Sequence, residues 1–83
     1  MKLRYFAWVR ERVGTGEEEA ELPPGVATVA DALAWLKGRG EGYASAFEND
    51  GVIRVAVDQV HVKPSASVAG AREIAFFPPM TGG

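Results

Sequence analysis

Residues 73–79 of the chain read EIAFFPP, a short apolar run that ends in two prolines. Successive side chains of a strand point to opposite faces, so Ile74 and Phe76 share one face while Phe77 takes the other. Proline has no N–H to donate to a sheet ladder, and the strand must therefore stop at Phe77. The run predicts an apolar strand in a central position, followed by a segment that leads away from the sheet.

The six residues of that segment, 78–83, read PPMTGG. The two prolines favour an extended polyproline conformation, and six extended residues reach up to about 20 Å. Glycine has no side chain, so Gly82-Gly83 can thread a narrow channel and present the terminal carboxylate to chemistry inside a partner. A Gly-Gly end is also common in frayed tails, but its position behind a Pro-Pro spacer favours a working tail. We therefore predict one domain over residues 1–77 and a flexible, extended tail over 78–83.

Residues 1–6, MKLRYF, alternate in the same way. Leu3 and Tyr5 form the inward set, which turns Phe6 to the face that carries the charged residues. Phe77 likewise lies on a charged face of its strand. If the first and last strands are neighbours, the two phenylalanines form one exposed apolar patch of the kind that binds partners. The alternative is that one or both rings fold into a second small core beneath a loop.

The strongest helical pattern begins at Thr28, after a break at residues 23–25, PPG. Thr28 is a suitable N-cap, and Asp31 three residues later approaches a capping box. The apolar residues at helical spacing on one face are Val29, Ala32, Leu33 and Leu36. Gly38 and Gly40 end this helix. One amphipathic helix covers only one face of a sheet.

The remaining segments predict short elements. Residues 7–13 fit a short helix or turn that ends at Gly14, and residues 41–50 fit a loop with one helical turn around 43–47. Further strands are predicted over residues 17–22, 52–57 and 60–63. The acidic run Glu17–Glu21 fits a solvated sheet edge, where charge discourages pairing, or a contact with a basic partner. The order β-turn-β-α-β-β-β, with one main helix, predicts an α+β fold with a sheet covered on one face.

Composition excludes several classes of protein. The chain has no cysteine, which excludes iron–sulfur proteins, zinc ribbons and thioredoxin-like redox proteins, and its single histidine, His61, cannot form a multi-histidine metal site. The net charge is -2 and the basic residues are dispersed, which disfavours nucleic-acid binding. The first residues do not read as a signal peptide, and no stretch is long enough to span a bilayer. We therefore expect a cytoplasmic protein.

Residues 75–83, AFFPPMTGG, resemble the C-terminal signature of the MoaD family, the small subunit of molybdopterin synthase. Residues 9–11, VRE, with Gly14 match the family's usual opening, and residues 57–59, VDQ, match the segment before its fourth strand. The family more often has Asn where this chain has Asp58, a departure that bears on the turn at this position. The resemblance spans nearly the whole chain, and its C-terminal motif is highly specific.

This resemblance implies the β-grasp fold of ubiquitin, in which the first and last strands pair in parallel at the centre of the sheet. Phe6 and Phe77 would then lie on the same open face and form a docking patch. His61 would lie on the polar side of its strand, with Val60 and Val62 facing inward. It would be either a solvated surface residue or a neighbour of the patch, without a catalytic role.

The resemblance also implies the chemistry and the partners. An E1-like adenylyltransferase uses ATP and Mg²⁺ to adenylate Gly83, and a sulfur donor enzyme then yields a thiocarboxylate. The large subunit of molybdopterin synthase, in a heterotetramer of two small and two large subunits, transfers this sulfur to cyclic pyranopterin monophosphate. The chain binds no cofactor or metal and is not an enzyme on its own. In these terms Gly82 keeps the approach narrow, and the threading path is lined by Pro78, Pro79, Met80 and Thr81.

Other functions share parts of this pattern. A sulfur carrier for thiazole synthesis or tRNA thiolation has the same fold and the same Gly-Gly end, although the run FFPP at residues 76–79 argues against it. A ubiquitin-like protein modifier would use the same adenylated Gly83 and end as an amide on a target lysine. A plain interaction domain would have an incidental tail, and deletion of Gly82-Gly83 would change nothing.

Overall fold

The computed structural model describes residues 1–79 of the chain. Its elements, in chain order, are β1 (Lys2–Tyr5), α1 (Ala7–Val13), β2 (Glu17–Glu19), α2 (Val29–Lys37), α3 (Glu41–Phe47), a 3-10 turn (Asp50–Val52), β3 (Arg54–Val57), β4 (Val60–Val62) and β5 (Glu73–Phe77). The predicted tail residues Met80, Thr81, Gly82 and Gly83 lie outside the described residues.

The five strands form one mixed sheet in the order β2-β1-β5-β3-β4. β1 and β5 pair in parallel, with Leu3 opposite Ile74 and Tyr5 opposite Phe76. The other neighbouring strands are antiparallel. The apolar first and last strands therefore lie inside the sheet, as the sequence predicts. The predicted α+β fold, a β-grasp with a mixed sheet, is confirmed.

The core lies between the helices and one face of this sheet. The strand residues that point into it, each at most 1% exposed, are Leu3, Tyr5, Ile74 and Phe76. The four residues predicted from the helical spacing of α2 are all buried, and all but Ala32 belong to the same cluster: Val29, Ala32, Leu33 and Leu36. We call the sheet face turned toward this cluster the covered face, and the face turned away from it, which carries Phe77, the open face.

The main helix, α2, begins with the predicted capping box. The Asp31 N–H donates to the Thr28 hydroxyl at 3.2 Å, and the Asp31 carboxylate accepts from the N–H groups of Ala27 and Thr28 at 3.0 and 3.1 Å. These bonds, the one from Ala27 first, lower the pKa of the Asp31 carboxyl. The start of α2 is thus set by local side-chain chemistry.

Besides the main helix α2, the chain forms two shorter helices: α1, where the sequence predicts a short helix or turn, and α3. The sequence predicts mostly loop for residues 41–50, yet α3 buries Ala46 and Phe47. Its helical conformation depends on contact with α1, against which Gly42 lies so closely that a Cβ there would come within 2.5 Å of the Arg12 carbonyl oxygen. Glycine permits this approach because it lacks a side chain.

The strand bounds also differ from the prediction. β2 covers only Glu17–Glu19 rather than residues 17–22, and β3 starts two residues later than predicted, at Arg54. Val60, predicted to face inward, is 63% exposed. It is the first residue of the edge strand β4 and pairs with the half-buried Val57, so it lies at an outer corner of the sheet.

The turn between β3 and β4 places Asp58 and Gln59 at positive φ, 48° and 69°. Asp and Asn tolerate this conformation better than most other residues with a side chain. The Asp58 carboxylate also accepts hydrogen bonds from the N–H groups of Arg72 and Glu73, at 2.9 and 3.0 Å. The aspartate that departs from the family's usual asparagine therefore fits the turn and ties it to the start of β5.

Candidate functional site

Phe6 and Phe77 stack against each other on the open face. Their ring centroids are 4.5 Å apart, and the ring planes differ by 7°. The parallel pairing produces this contact, because Tyr5 lies opposite Phe76 and the Phe6 N–H donates to the Phe76 carbonyl at 3.1 Å. Both rings are half-buried, and neither belongs to the core cluster. The structure thus brings the two sequence-predicted rings together as one apolar surface.

His61 borders this pair of rings. Its imidazole centroid lies 5.5 Å from that of Phe77, and its side chain is exposed. The sheet surface beside His61 carries short side chains. Ala56 of β3 lies opposite His61 on one side and opposite Ala75 of β5 on the other. We call Phe6, Phe77 and His61 together the aromatic patch.

Arginines flank the aromatic patch. The Arg4 guanidinium lies 5.0 Å from the Phe6 ring centroid, and its Nη1 is 3.9 Å from the Glu73 carboxylate. Arg54 lies directly opposite Phe77 in the pairing of β3 with β5. A guanidinium group is attracted to the face of an aromatic ring, so Arg4 helps to fix the Phe6 ring in the stacked position.

An open pocket of about 350 Å³ adjoins the Phe6 side of the patch. Its polar lining comes from Arg4, Arg10, Thr15 and Glu17. The Glu17 carboxylate lies 3.6 Å from the Lys2 ammonium group, which partly neutralises it. The pocket therefore presents the guanidinium groups of Arg4 and Arg10 beside an aromatic ring.

The aromatic patch lies at the root of the predicted tail. Pro78 and Pro79 follow Phe77 directly, are half-buried and belong to no helix or strand. The further tail residues named from the sequence, Met80 to Gly83, lie outside the described residues. The roles assigned to the tail, and the docking role assigned to Phe6 and Phe77, therefore stay predictions.

Sequence reasoning missed a polar cluster around Glu18, on the covered face. One carboxylate oxygen, Oε2, accepts hydrogen bonds from the hydroxyls of Tyr5 at 2.8 Å and Tyr43 at 2.6 Å, and it lies 3.0 Å from the Arg39 guanidinium. The predicted solvated edge describes the two exposed glutamates on either side, but not Glu18. The signal was available, because alternation within the strand EEE turns its middle residue inward.

This cluster changes the ionisation of its members. Partial burial alone would raise the pKa of the Glu18 carboxyl, but the hydrogen bonds from Tyr43, Tyr5 and Arg39 outweigh burial and lower that pKa. Burial first, and then the bond to Glu18, raises the pKa of both tyrosine hydroxyls. The carboxylate thus stays ionised while its donors stay protonated. The cluster joins β1, β2 and α3 across the covered face, and we assign it a structural role.

Two other kinds of site are absent from residues 1–79. No group of three or more His, Asp or Glu side chains in this part of the chain is placed to hold a metal ion. Within the same residues, no helix is both long and apolar enough to cross a bilayer. The surface most distinct from an ordinary solvated face is the aromatic patch with its flanking arginines.

Comparison with known proteins shows the family of this chain. The model of the ThiS family matches residues 3–83. The chain belongs to the ThiS family. It is 38% identical to the molybdopterin synthase sulfur carrier subunit of Escherichia coli, and 34% identical to that of Haemophilus influenzae. Each comparison covers 100% of this chain and 99% of the relative, and the resemblance to MoaD proteins is thereby confirmed.

Solved structures agree with this membership of the ThiS family. Small archaeal modifier protein 1 from Haloferax volcanii has a TM-score of 0.70 and 29% sequence identity, and the match covers 96% of this chain and 97% of that one. Its name describes a protein modifier, whereas the two curated relatives are named as sulfur carriers. Relatives of this ThiS-family chain thus include both kinds of function.

Proposed function

We propose that this chain is the sulfur carrier subunit of a molybdopterin synthase. The observation that carries the proposal is the 38% identity to the Escherichia coli subunit of that name over the full length of both chains. The run from Phe76 to Gly83, FFPPMTGG, supports it, because it joins a central strand to a narrow glycine end. The stacked Phe6 and Phe77 at the root of this tail offer a surface for docking.

The proposed chemistry begins at the Gly83 carboxylate, which is a poor electrophile until it is activated. One of its oxygens attacks the α-phosphorus of ATP in an E1-like adenylyltransferase that uses Mg²⁺, and pyrophosphate leaves. A sulfur donor enzyme then supplies sulfur as hydrosulfide, HS⁻, which attacks the acyl carbon as AMP leaves. The product is a Gly83 thiocarboxylate, whose sulfur is a better nucleophile than a carboxylate oxygen.

The synthase reaction itself belongs to the large subunit. In this proposal the aromatic patch docks on that subunit, and the tail carries the thiocarboxylate to cyclic pyranopterin monophosphate. Gly82 keeps the tail narrow, and Pro78 to Thr81 line the path. The small chain contributes sulfur and position, binds no cofactor and catalyses nothing alone. Two small and two large subunits form the assembly, and we place its action in the cytoplasm.

Intact mass spectrometry tests the carrier function. The chain is incubated with an E1-like enzyme, ATP, Mg²⁺ and a sulfur donor, and we expect one oxygen to be replaced by sulfur. Fragmentation must localise the change to Gly83, because oxidation of Met1 or Met80 adds almost the same mass. An unmodified chain in the presence of a competent activating enzyme would reject the carrier function.

A chain with one alanine appended after Gly83 is the matched control. It keeps the folded domain and all side chains but moves the acyl terminus by one residue. We expect it to unfold at the same urea concentration as the wild type and to transfer no sulfur in the reconstituted synthase. Sulfur transfer at the wild-type rate by this extended chain would contradict the mechanism.

A ubiquitin-like modifier is the second candidate, favoured by the structural match to small archaeal modifier protein 1. That function would use the same adenylated Gly83 but would join it to a lysine amine of a target protein. Isopeptide-linked adducts of this chain, detected by mass spectrometry in extract of its own organism, would support it. A thiocarboxylate without such adducts would favour the sulfur carrier.

A further inference from the structure

The charges on the open face are divided between its two ends. The end beside the aromatic patch carries Arg4 and Arg54, and Arg10 of α1 lines the adjoining pocket beside Phe6. Toward the opposite end, Glu19 and Glu73 flank Lys2 from the two neighbouring strands, and the Glu73 carboxylate reaches back to 3.9 Å from the Arg4 guanidinium. The chain as a whole has a net charge of -2. The positive charge around the patch is therefore a local feature, contrary to the sign of the whole molecule.

The three arginines are little neutralised within the chain. The nearest carboxylate to Arg4 is that of Glu73 at the long distance of 3.9 Å, and the Arg4 side chain is 39% exposed. Among residues 1–79, no ion pair involves Arg10 or Arg54, and both side chains are exposed. The Glu17 carboxylate in the pocket is engaged by Lys2. Guanidinium charge at the rim of the patch is thus available to a partner.

We infer that the partner surface that covers the aromatic patch is apolar at its centre and carries carboxylates at its rim, opposite Arg4, Arg10 and Arg54. This rests on the proposed function, which makes that partner the large subunit of the synthase. Stacked aromatic rings at the centre supply most of the binding energy in such contacts. Guanidinium groups bind carboxylates in a fork geometry, and the pocket beside Phe6 brings two of them to one carboxylate side chain.

The division of charge also orients the encounter. A partner rimmed with carboxylates is attracted more strongly to the arginine end of the open face than to the end where Glu19 and Glu73 flank Lys2. Charges of this kind act mainly on the association rate and on its dependence on salt. They favour approaches in which the root of the tail, at Pro78, already faces the partner.

The association rate of the chain with the large subunit from the same organism tests this inference. The variant combines Arg4→Gln, Arg10→Gln and Arg54→Gln, and the control Arg72→Gln removes a positive charge at the far end of β5. At low salt we expect the triple variant to associate roughly tenfold more slowly than the wild type. At high salt the two rates should converge, because screening removes the steering, and the control should keep the wild-type rates throughout.

Each outcome decides the matter. An unchanged salt dependence in the triple variant would overturn the inference and leave the proposed function standing, whereas a wild-type chain that never binds the large subunit overturns both. A wild-type homodimer in sedimentation equilibrium, dissolved by the triple variant, would show that a second copy covers the patch and would overturn the inference. If the triple variant does not fold, Arg54→Gln alone, at an exposed position, should slow association about threefold.

Discussion

Phe76 and Phe77 are neighbours in the chain, yet they belong to the two different faces of the sheet. Phe76 is fully buried on the covered face, with its ring centroid 5.7 Å from that of Tyr5 and 5.3 Å from that of Phe47. Phe77 is half-buried on the open face and stacks on the single ring of Phe6. The covered face therefore forms the core of the fold, whereas the open face keeps an apolar surface that folding does not fully bury.

The largest expected effect is the difference in stability between alanine variants of these two phenylalanines. Phe76→Ala should lower the free energy of unfolding by about 3–5 kcal/mol, because it leaves a cavity among buried rings. Phe77→Ala should lower it by only about 1 kcal/mol, the loss of one stacked pair, while weakening binding to the large subunit. Urea unfolding and a binding titration check the two quantities.

Phe6→Ala serves as the second half of that comparison, since it removes the other ring of the pair. It should resemble Phe77→Ala in both measurements. If either open-face variant lost as much stability as Phe76→Ala, without a separate loss of binding, the patch would be part of the core rather than a docking surface.

Gly42→Ala tests how closely α3 packs against α1, beside the covered face. Alanine in a helix interior normally stabilises relative to glycine, but here its Cβ would meet the Arg12 carbonyl oxygen. We expect a loss of about 1–3 kcal/mol in the free energy of unfolding, as in other overpacked contacts. Gly25→Ala is the control, because a Cβ there meets no heavy atom within 4 Å. A stabilised Gly42→Ala chain would show that α1 and α3 are less closely packed.

Glu18→Gln tests the polar cluster on the covered face. At pH 7 it should cost about 1–2 kcal/mol in the free energy of unfolding, because hydrogen bonds to a charged group are replaced by neutral ones. The pKa of Glu18 is lowered in the fold, so its stabilisation is present above the ordinary value of about 4.5 and is lost as pH falls through the folded value. The difference between the two chains should therefore shrink below pH 4.5.

Glu19→Gln is the matched control for that pH series. Its carboxylate lies on the same strand and is 74% exposed, and its one ion pair within residues 1–79 is with the N-terminal ammonium at 3.4 Å. Urea unfolding across the acid range should give it nearly the wild-type stability. A gap between wild type and Glu18→Gln that stayed constant from pH 7 to below 4 would count against the lowered pKa.

The smallest expected effect concerns the turn between β3 and β4. Asp58→Asn should change the free energy of unfolding by no more than about 0.5 kcal/mol, because asparagine also tolerates positive φ and its Oδ1 can accept the same two N–H bonds. Asp58→Ala, which loses the acceptor, should be clearly less stable in thermal unfolding. Equal melting temperatures for all three chains would show that the hydrogen bonds to Arg72 and Glu73 contribute little.

The covered face was predicted better from the sequence than the open one. α2 could be read from Thr28, Asp31 and four spaced apolar residues, because its start and its buried stripe depend on local chemistry. α3 could not be predicted in this way, because glycine at position 42 suits a helix only where the backbone of Arg12 packs directly against it. Alternation within the strand could have turned Glu18 inward, but its hydrogen-bond donors lie 13 and 25 residues away along the chain, so the polar cluster itself could not be predicted locally.

The arrangement of the open face could be predicted only from the family resemblance. Alternation turns Phe6 and Phe77 outward, but only the parallel pairing of the first and last strands brings the rings to 4.5 Å. Strand pairing over more than 70 residues of sequence cannot be derived from local patterns. The function of the tail remains a prediction from sequence, since Met80 to Gly83 lie outside the described residues.

The parallel pairing of β1 with β5 also bears on how the protein is made. During synthesis β1 is made more than 70 residues before its partner across the sheet, β5. Until then the sheet lacks its central strand, and contacts so distant in sequence form slowly. A nascent chain interrupted before residue 73 lacks the core side chains of Ile74 and Phe76 and has only one of the two stacked rings. The same late strand thus completes the fold and the aromatic patch together.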